Sequence, residues 1–466
     1  MASLSSLFDP QLLRRYDVPG PRYTSYPTAP QFGAGFGEAE LRAVAAASNQ
    51  VQPPRPISLY LHVPFCTSPC FYCGCNRVIT RDKARGVAYL ERLQREIALA
   101  STLFERNRPV EQVHFGGGTP NFLEPDQIAG VMEQLRRHFS LAGGDRMDCS
   151  IELDPRFITP AEVAQLAAAG FNRASLGVQD FNPAVQQAVN RVQGVEQTLG
   201  IIQACRANGF RSVNVDLIYG LPRQTLEGFE RTLDITLKER PDRLAIYGYA
   251  HLPNLFRPQH QIRAEDLPSS GQKLDLLRLA IEKLGQAGYE YIGMDHFALP
   301  DDELARAQRE GGLHRNFMGY TTHAESDLLG LGVSAISHVG HSFSQNPRDL
   351  AGWEQAIDEG RLPVWRGMRM DADDVVRADV IQQLMCHGRL DYAAISHRHG
   401  IDFRQYFADA LQRLQPLQAD GLVELGDGEL QATQRGRLLL RIIAMCFDRY
   451  LAPSSEAAAP RYSRTV

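Results

Sequence analysis

An α/β fold on a parallel sheet is the class this sequence predicts, and three features predict it. Six short apolar runs, at 57–63, 111–115, 148–153, 173–178, 212–218 and 243–249, have the length and composition of buried strands. Amphipathic stretches at 87–104, 125–139, 160–169, 195–208 and 226–239 fall between them and read as helices. The strand-to-strand repeat is roughly 30 to 40 residues, the spacing of right-handed βαβ crossovers.

The elements carry their own punctuation. Thr159, Pro160 and Glu162 form an N-cap, a first-turn proline and a capping-box acid. Gly170 and Gly209 stop helices just before the next strand. Beyond the sixth repeat come a further helix at 272–284 and an irregular region holding His296, His314 and Tyr320, three candidates for orienting substrate or carrying a proton. Helices are predicted at 372–386 and 403–414, a hairpin about Asp427 and Gly428, and a long helix at 434–450. Three regions follow: an extension over residues 1–55, rich in Pro and Tyr, that packs on the main domain; a main domain over 56–367; and a mainly helical, winged-helix-like C-terminal domain over 368–466.

Most of the chemistry sits where strands end. The first strand stops at Pro64, which has no N–H for a sheet ladder, and opens into a loop carrying Cys66, Cys70, Cys73 and Cys75, half of the eight cysteines. The first three are spaced C-x3-C-x2-C. Separations this short let one loop set three soft thiolates around one centre of zinc, copper(I) or iron–sulfur type. Three ligands where four are usual leave a corner open for substrate chemistry. A structural zinc knot takes four ligands, often as two separated pairs, and a disulfide suits a large intracellular-type chain poorly. Cys149, Cys205, Cys386 and Cys446 lie in apolar surroundings and read as small buried hydrophobes.

The second strand ends in Gly116, Gly117, Gly118 and Thr119, a run that exposes backbone and allows a ligand to come close; it lacks the G-x-x-x-x-G-K-[ST] pattern of a nucleotide P-loop. Glu152 and Asp154 end the third strand. Gln179 ends the fourth, with Arg191 beyond it. Asp216 lies on the fifth and Ala250 follows the sixth. An ionised carboxylate such as Glu152 only accepts hydrogen bonds and suits ribose hydroxyls.

Composition excludes other classes. The length is 466 residues, with 44% hydrophobic, 22% charged and a net charge of −5, an ordinary globular composition that gives nucleic acid nothing to bind. No apolar run approaches the ~18 residues of a membrane span, and no basic segment precedes an apolar core at the N-terminus. A cytoplasmic location is expected. Only Lys83, Lys238, Lys273 and Lys283 are lysines, so the cations are nearly all arginine, whose planar fork matches carboxylates.

The cysteine loop resembles that of the radical S-adenosylmethionine (SAM) superfamily. The longer string from His62 through Tyr72 to Gly74 and Cys75 resembles one family in particular, the oxygen-independent coproporphyrinogen III oxidases (coproporphyrinogen dehydrogenases). The resemblance takes in the N-terminal extension and the closing Tyr462, Ser463 and Arg464. It implies a partial (β/α)6 TIM-like barrel, with its sites at the C-terminal ends of the strands. It also implies a [4Fe–4S] cluster on Cys66, Cys70 and Cys73, with SAM on the fourth iron and Tyr72 against the adenine. Gly117 would hold the SAM amino group, Glu152 the ribose, and Gln179 and Arg191 the carboxylate and adenosine. A second SAM would face Gly118, Thr119, Asp216 and Ala250, with Tyr60 and Ile336 completing the set. Cys75 is a non-ligand in this reading, and a redox role near the substrate is the expectation for it.

The same resemblance implies the reaction. A reduced cluster cleaves SAM to a 5′-deoxyadenosyl radical, which takes a β-hydrogen from a propionate of coproporphyrinogen III. Loss of CO2 and one electron leaves a vinyl group, and two such events give protoporphyrinogen IX. The expected partners are the porphyrinogen and an electron donor of flavodoxin type, with a monomer and no nucleic acid or membrane. A haem-binding chaperone of the same superfamily, without dehydrogenase activity, is the second function considered. Gly74 with Cys75 and the long N-terminal extension point to the oxidases.

Overall fold

The computed structural model describes residues 8–451 and 464; residues 1–7, and Tyr462 and Ser463 of the closing tripeptide, lie outside the described residues. Strand β1 (Ile57–Val63) is followed by α1 (Ala84–Ser101), β2 (Pro109–Gly117), α2 (Pro125–His138), β3 (Asp148–Leu153) and α3 (Pro160–Ala169). The alternation continues through β4 (Arg173–Gln179), α4 (Val195–Ala207), β5 (Ser212–Tyr219), α5 (Leu226–Lys238), β6 (Arg243–Gly248) and α6 (Ser270–Gln286). Strands β1 to β6 lie side by side in chain order and pair in parallel. This is the α/β partial barrel expected, with its loops at one end of the strands.

The sheet runs further than six strands. Beyond β6 it gains β7 (Glu290–Gly293) and β8 (His296–Ala298), with β8 antiparallel to β6. On the other side β9 (Asp327–Leu331) pairs in parallel with β1, and β10 (Ile336–Val339), β11 (Ser342–Gln345) and β12 (Arg366–Arg369) continue it antiparallel. Strand β1 is therefore an interior strand, and Leu59, Leu61 and Val63 are fully buried. Burying each such side chain contributes roughly 1.5–3 kcal/mol, which fixes the strand that carries the cysteine loop.

The start of β9 is held electrostatically. Asp327 receives Arg108 Nη2 at 2.6 Å with both side chains buried, and the Gly340 N–H donates to its other oxygen at 2.9 Å. Around α3 the cap is the one predicted: the Glu162 N–H donates to Thr159 Oγ1, the Thr159 N–H donates to Glu162 Oε2 at 2.7 Å, and Gly170 at φ 109° ends the helix.

Residues beyond 370 build a second apolar core around Val380, Leu384, Leu414, Leu422 and Phe447. The hairpin at Asp427 and Gly428 is present as Val423–Leu425 paired with Glu429–Ala432. The long helix predicted at 434–450 is not continuous: it forms Gln434–Arg437 and Leu440–Met445, broken at Leu439. Leu439, Leu440, Ile442 and Ile443 are all buried, more than one stripe of an uninterrupted helix delivers to a core. The 403–414 helix likewise divides, into Phe403–Tyr406 and Ala408–Ala419.

The aromatic N-terminal stretch packs on this second core. Tyr23 and Tyr26 are buried in it, and the Tyr23 hydroxyl donates to Asp448 at 2.9 Å. Helix Glu38–Asn49 lies on the main core through Leu41 and Val44. Among the described residues no helix is long and apolar enough to cross a membrane.

Candidate active site

The cysteine loop is stapled by its own chain. Beyond Pro64, Phe65–Cys66 pairs in parallel with Val78–Ile79. The Val78 N–H donates to the Pro64 carbonyl at 2.7 Å and the Thr80 N–H to the Cys66 carbonyl at 3.0 Å, so both ends of the loop are pinned. Within it, the Arg77 guanidinium donates to the carbonyls of Cys70, Cys73 and Cys75 at 3.3, 3.1 and 3.2 Å. Gln259, from a distant loop, donates to the carbonyls of Tyr72 and Ala250 at 3.0 and 3.2 Å. Gly74 lies against Phe256, whose ring a Cβ at that position would approach to 3.0 Å.

The four thiols have different environments. Cys66 and Cys70 are buried and Cys75 is exposed. Burial pushes the Cys66 thiol up to about 11, against a hydrogen bond from Thr119 at 3.4 Å. Cys73 is pulled down to about 6, first by a hydrogen bond from the Cys75 thiol and, against its burial, by the Arg77 charge and the Cys75 N–H. Cys75 is raised as the donating partner. Cys73 is thus the easier thiol to ionise, whereas burial opposes ionisation of Cys66, which would give its proton up on binding a metal.

At the end of β2 the backbone closes on the loop. The Gly118 N–H donates to the Val63 carbonyl at 2.8 Å, and a Cβ on Gly118 would lie 2.8 Å from the Pro64 carbonyl carbon. Gly117 has φ 118°, and its N–H donates to Glu152 Oε2 at 3.2 Å. Burial would raise the Glu152 carboxyl, but the hydrogen bond from His114 Nε2 at 3.3 Å and the Gly117 N–H hold it below its usual value. His114 stacks on Tyr60 with ring centroids 5.8 Å apart. His62 Nε2 donates to the Asn76 carbonyl at 3.0 Å, so its Nδ1 is free to accept from the Tyr60 hydroxyl at 3.0 Å.

Arg191 is buried and donates to Asp154 Oδ2 at 3.0 Å and to Cys70 Sγ at 3.5 Å. Asp154 also holds Arg156, whose Nη2 is 2.7 Å from Oδ2 and 3.7 Å from Cys70 Sγ. Gln179 ends β4 with φ 68°, uncommon for a side chain with a Cβ, and its buried Oε1 has no hydrogen-bond partner. Asp216 accepts from Asn214 at 2.7 Å and Ser175 at 3.1 Å; burial and the neighbouring Glu152 charge push it up to about 6.

A cavity of about 330 Å³ joins these groups. Cys66, Cys70, Tyr72, Cys73, Cys75, Gly117, Gly118, Thr119, Glu152, Gln179, Arg191 and Asp216 all line it. Tyr60, Ala250 and Ile336 do not. Tyr60 stands behind His114, and the Ala250 carbonyl is held beside that of Tyr72 by Gln259. Ile336 packs over Gly330, the register partner of Tyr60; a Cβ on Gly330 would be 2.6 Å from the Ile336 carbonyl oxygen. Arg77, Arg156, Ser175 and Tyr247 also line the cavity and were not singled out from sequence. Only the C-x2-C spacing near Arg77, and the Asp154 beside Arg156, signalled any of them.

The donor set fits a cluster and a polar cofactor. Three soft thiols lie on one loop, the β2 backbone is too close to that loop for a Cβ, and Gln179 Oε1 and Arg191 Nε are buried without partners. Among the described residues no three His, Cys, Asp or Glu side chains gather tightly enough to hold a single metal ion. A four-iron cluster asks for a different arrangement, one thiolate on each of several irons.

Comparison with known proteins agrees with this geometry. Residues 60–235 match the radical SAM superfamily and residues 370–439 the HemN C-terminal domain. The chain is 51% identical to the oxygen-independent coproporphyrinogen III oxidase of Pseudomonas aeruginosa, over 98% of this chain and 99% of the relative. It is 48% identical to the enzyme of the same name from Escherichia coli, over 98% of each. The solved structure of Escherichia coli coproporphyrinogen III oxidase, described as a radical SAM enzyme, superimposes with a TM-score of 0.90 at 47% identity, covering 95% of this chain and 99% of that one. A barrel that ends in a three-cysteine loop, matched end to end by these relatives, places the chain in the oxygen-independent coproporphyrinogen III oxidase family of radical SAM enzymes.

Proposed function

We propose that this chain decarboxylates two propionate side chains of coproporphyrinogen III oxidatively to vinyl groups, giving protoporphyrinogen IX. The observation that supports this most is end-to-end identity of 51% with an oxidase of that name, together with a C-x3-C-x2-C loop facing the barrel cavity. The haem-binding chaperone reading has no comparable support.

The family's cofactors are a [4Fe–4S] cluster and SAM. When bound they supply hydrogen abstraction from an unactivated carbon, which no side-chain base performs at neutral pH. Cys66, Cys70 and Cys73 would hold the cluster. Glu152, kept ionised by His114 and the Gly117 N–H, is placed to accept from ribose hydroxyls. Gln179 Oε1 offers an unused acceptor, and Arg191, fixed by Asp154, offers a cation beside Cys70. Tyr72 would pack against the adenine. In this proposal a second SAM faces Gly118, Thr119 and Asp216 and reaches toward Ala250 and Ile336, with Tyr60 bracing the wall between them. Cys75, exposed next to Cys73, serves a redox role near the substrate, and a flavodoxin-type protein supplies electrons to a monomer.

The test is anaerobic reconstitution. Expected are about one four-iron cluster per chain, a spectrum of the reduced protein that changes on adding SAM, and two CO2 per coproporphyrinogen III with vinyl product. Zinc without iron, or tight haem binding without CO2 release, overturns the reading.

A further inference from the structure

One group of side chains is left unused by this chemistry. Arg315 lies on the short strand His314–Asn316, opposite Tyr320 on Gly319–Thr321, with its guanidinium carbon 4.7 Å from the Tyr320 ring centroid. The residue is 5% exposed, and its Nε and Nη1 are buried with no hydrogen-bond partner. Other enclosed arginines have carboxylate partners: Arg108 has Asp327, Arg191 has Asp154, and Arg243 has Asp302 and Glu303. A buried guanidinium normally has an anion or several acceptors. Among the described residues Arg315 has no carboxylate within ion-pair distance.

His296 stands next in line. Its ring meets Tyr320 edge-on at 5.3 Å and Tyr247 at 5.9 Å, and its Nδ1 is also buried without a partner. Burial, with the charges of Arg315, Arg22 and Arg243, holds it well below its ordinary value, so it is a neutral imidazole with one N–H to donate. Arg22 lies over the Tyr247 ring at 5.8 Å and is ion-paired with Asp295, the neighbour of His296. Tyr247 itself is on the wall of the cysteine cavity. A row of rings therefore leads from that cavity to a positively charged end where three nitrogens lack hydrogen-bond partners.

We propose that Arg315 and His296, with Arg22 beside them, form a carboxylate subsite that holds an unreacted propionate of the porphyrinogen. This rests on the function proposed above. A carboxylate has two oxygens for the guanidinium fork and lone pairs left for an imidazole N–H. The four-propionate substrate keeps two of its carboxylates through the reaction, so a fixed anchor for one of them sets which side chains reach the cysteine end.

The test uses the reconstituted holoenzyme. Arg315→Gln should raise the KM for coproporphyrinogen III about ten- to a hundredfold, the usual worth of a charge-assisted pair, with the change falling on that KM rather than on the KM for SAM. Arg315→Lys, which keeps the charge and loses the fork, should fall between. Converting the propionates of coproporphyrin III to methyl esters should weaken equilibrium binding less in Arg315→Gln than in the parent. A KM within twofold of the parent, or an equal ester effect in both, overturns the subsite while leaving the function intact. A parent that releases no CO2 from coproporphyrinogen III overturns the function and the subsite together. Should Arg315→Gln fail to fold, Arg315→Lys and the ester comparison on it decide the matter by the same criteria.

Discussion

Arg156 reaches within 3.7 Å of the Cys70 sulfur through Nη2, and it is steered there by Asp154 at 2.7 Å. Arg191 approaches the same sulfur at 3.5 Å from the same carboxylate. One buried acid thus aims two guanidinium groups at a single sulfur. Positive charge beside a cluster ligand favours the reduced state. Arg156→Gln should lower the cluster's reduction potential by roughly 60 mV, a tenfold change for a one-electron couple. Redox titration followed by electron paramagnetic resonance measures it; an unchanged potential would show that the contact is only structural.

The approach of β2 to the cysteine loop leaves no room at Gly118. Its Cβ would come within 2.8 Å of the Pro64 carbonyl carbon, which is backbone and cannot swing away. Gly118→Ala should cost about 1–3 kcal/mol of stability and weaken SAM binding at least about tenfold, since the shifted backbone lines the cavity proposed for the cofactor. Denaturant melts and equilibrium SAM binding report the two effects separately.

Gln179 supports the opposite trade. At φ 68° a residue with a Cβ carries strain of about 1–2 kcal/mol, and glycine relieves it at an entropy cost of about 0.5–1 kcal/mol. Gln179→Gly should leave stability equal or higher by up to about 1 kcal/mol while SAM affinity falls about tenfold for the lost acceptor. A variant that loses stability and keeps its SAM affinity would assign the residue to the fold instead.

Glu96 gives the clearest pH signature. Its carboxyl, wholly buried in α1, accepts from the Gly332 N–H at 2.7 Å, Asn346 Nδ2 at 2.8 Å and Trp353 Nε1 at 3.0 Å. Burial pushes it from 4.5 up to about 7 despite those donors. A carboxyl whose pKa is higher in the folded chain holds its proton more tightly there. Its contribution is complete below about 4.5 and is lost as pH rises through about 7. The gap is worth about 3 kcal/mol. Relative to the parent, Glu96→Gln should therefore gain stability by up to that amount between pH 4.5 and 8. Denaturant midpoints of both proteins across that range test it, and parallel pH curves would refute it.

Local signals in the sequence carried much of this molecule. The bounds of β1 and α3 follow from an apolar run stopped by Pro64 and from a capping box closed by Gly170, and both were legible without tertiary information. Twelve of the fifteen residues proposed for the site come to one cavity because strand ends converge in a parallel barrel. What stayed hidden depends on partners far away in the chain. Arg77 and Gln259 act on carbonyl oxygens, which have no sequence signature, and Tyr247 reaches the wall only through the curvature of the sheet. The flanking strands β7 to β12 are three to five residues long, too short for periodicity to register. The break at Leu439 arises from a core that takes apolar residues from several sides at once, which a helical pattern cannot announce.

The carbonyl contacts of Arg77 bear on how the cysteine loop keeps its shape. One guanidinium gathers the carbonyls of Cys70, Cys73 and Cys75, so the bend of the loop depends on the planar fork as much as on its charge. A lysine there would keep the charge and lose the fork, and the three sulfurs would then have no common brace.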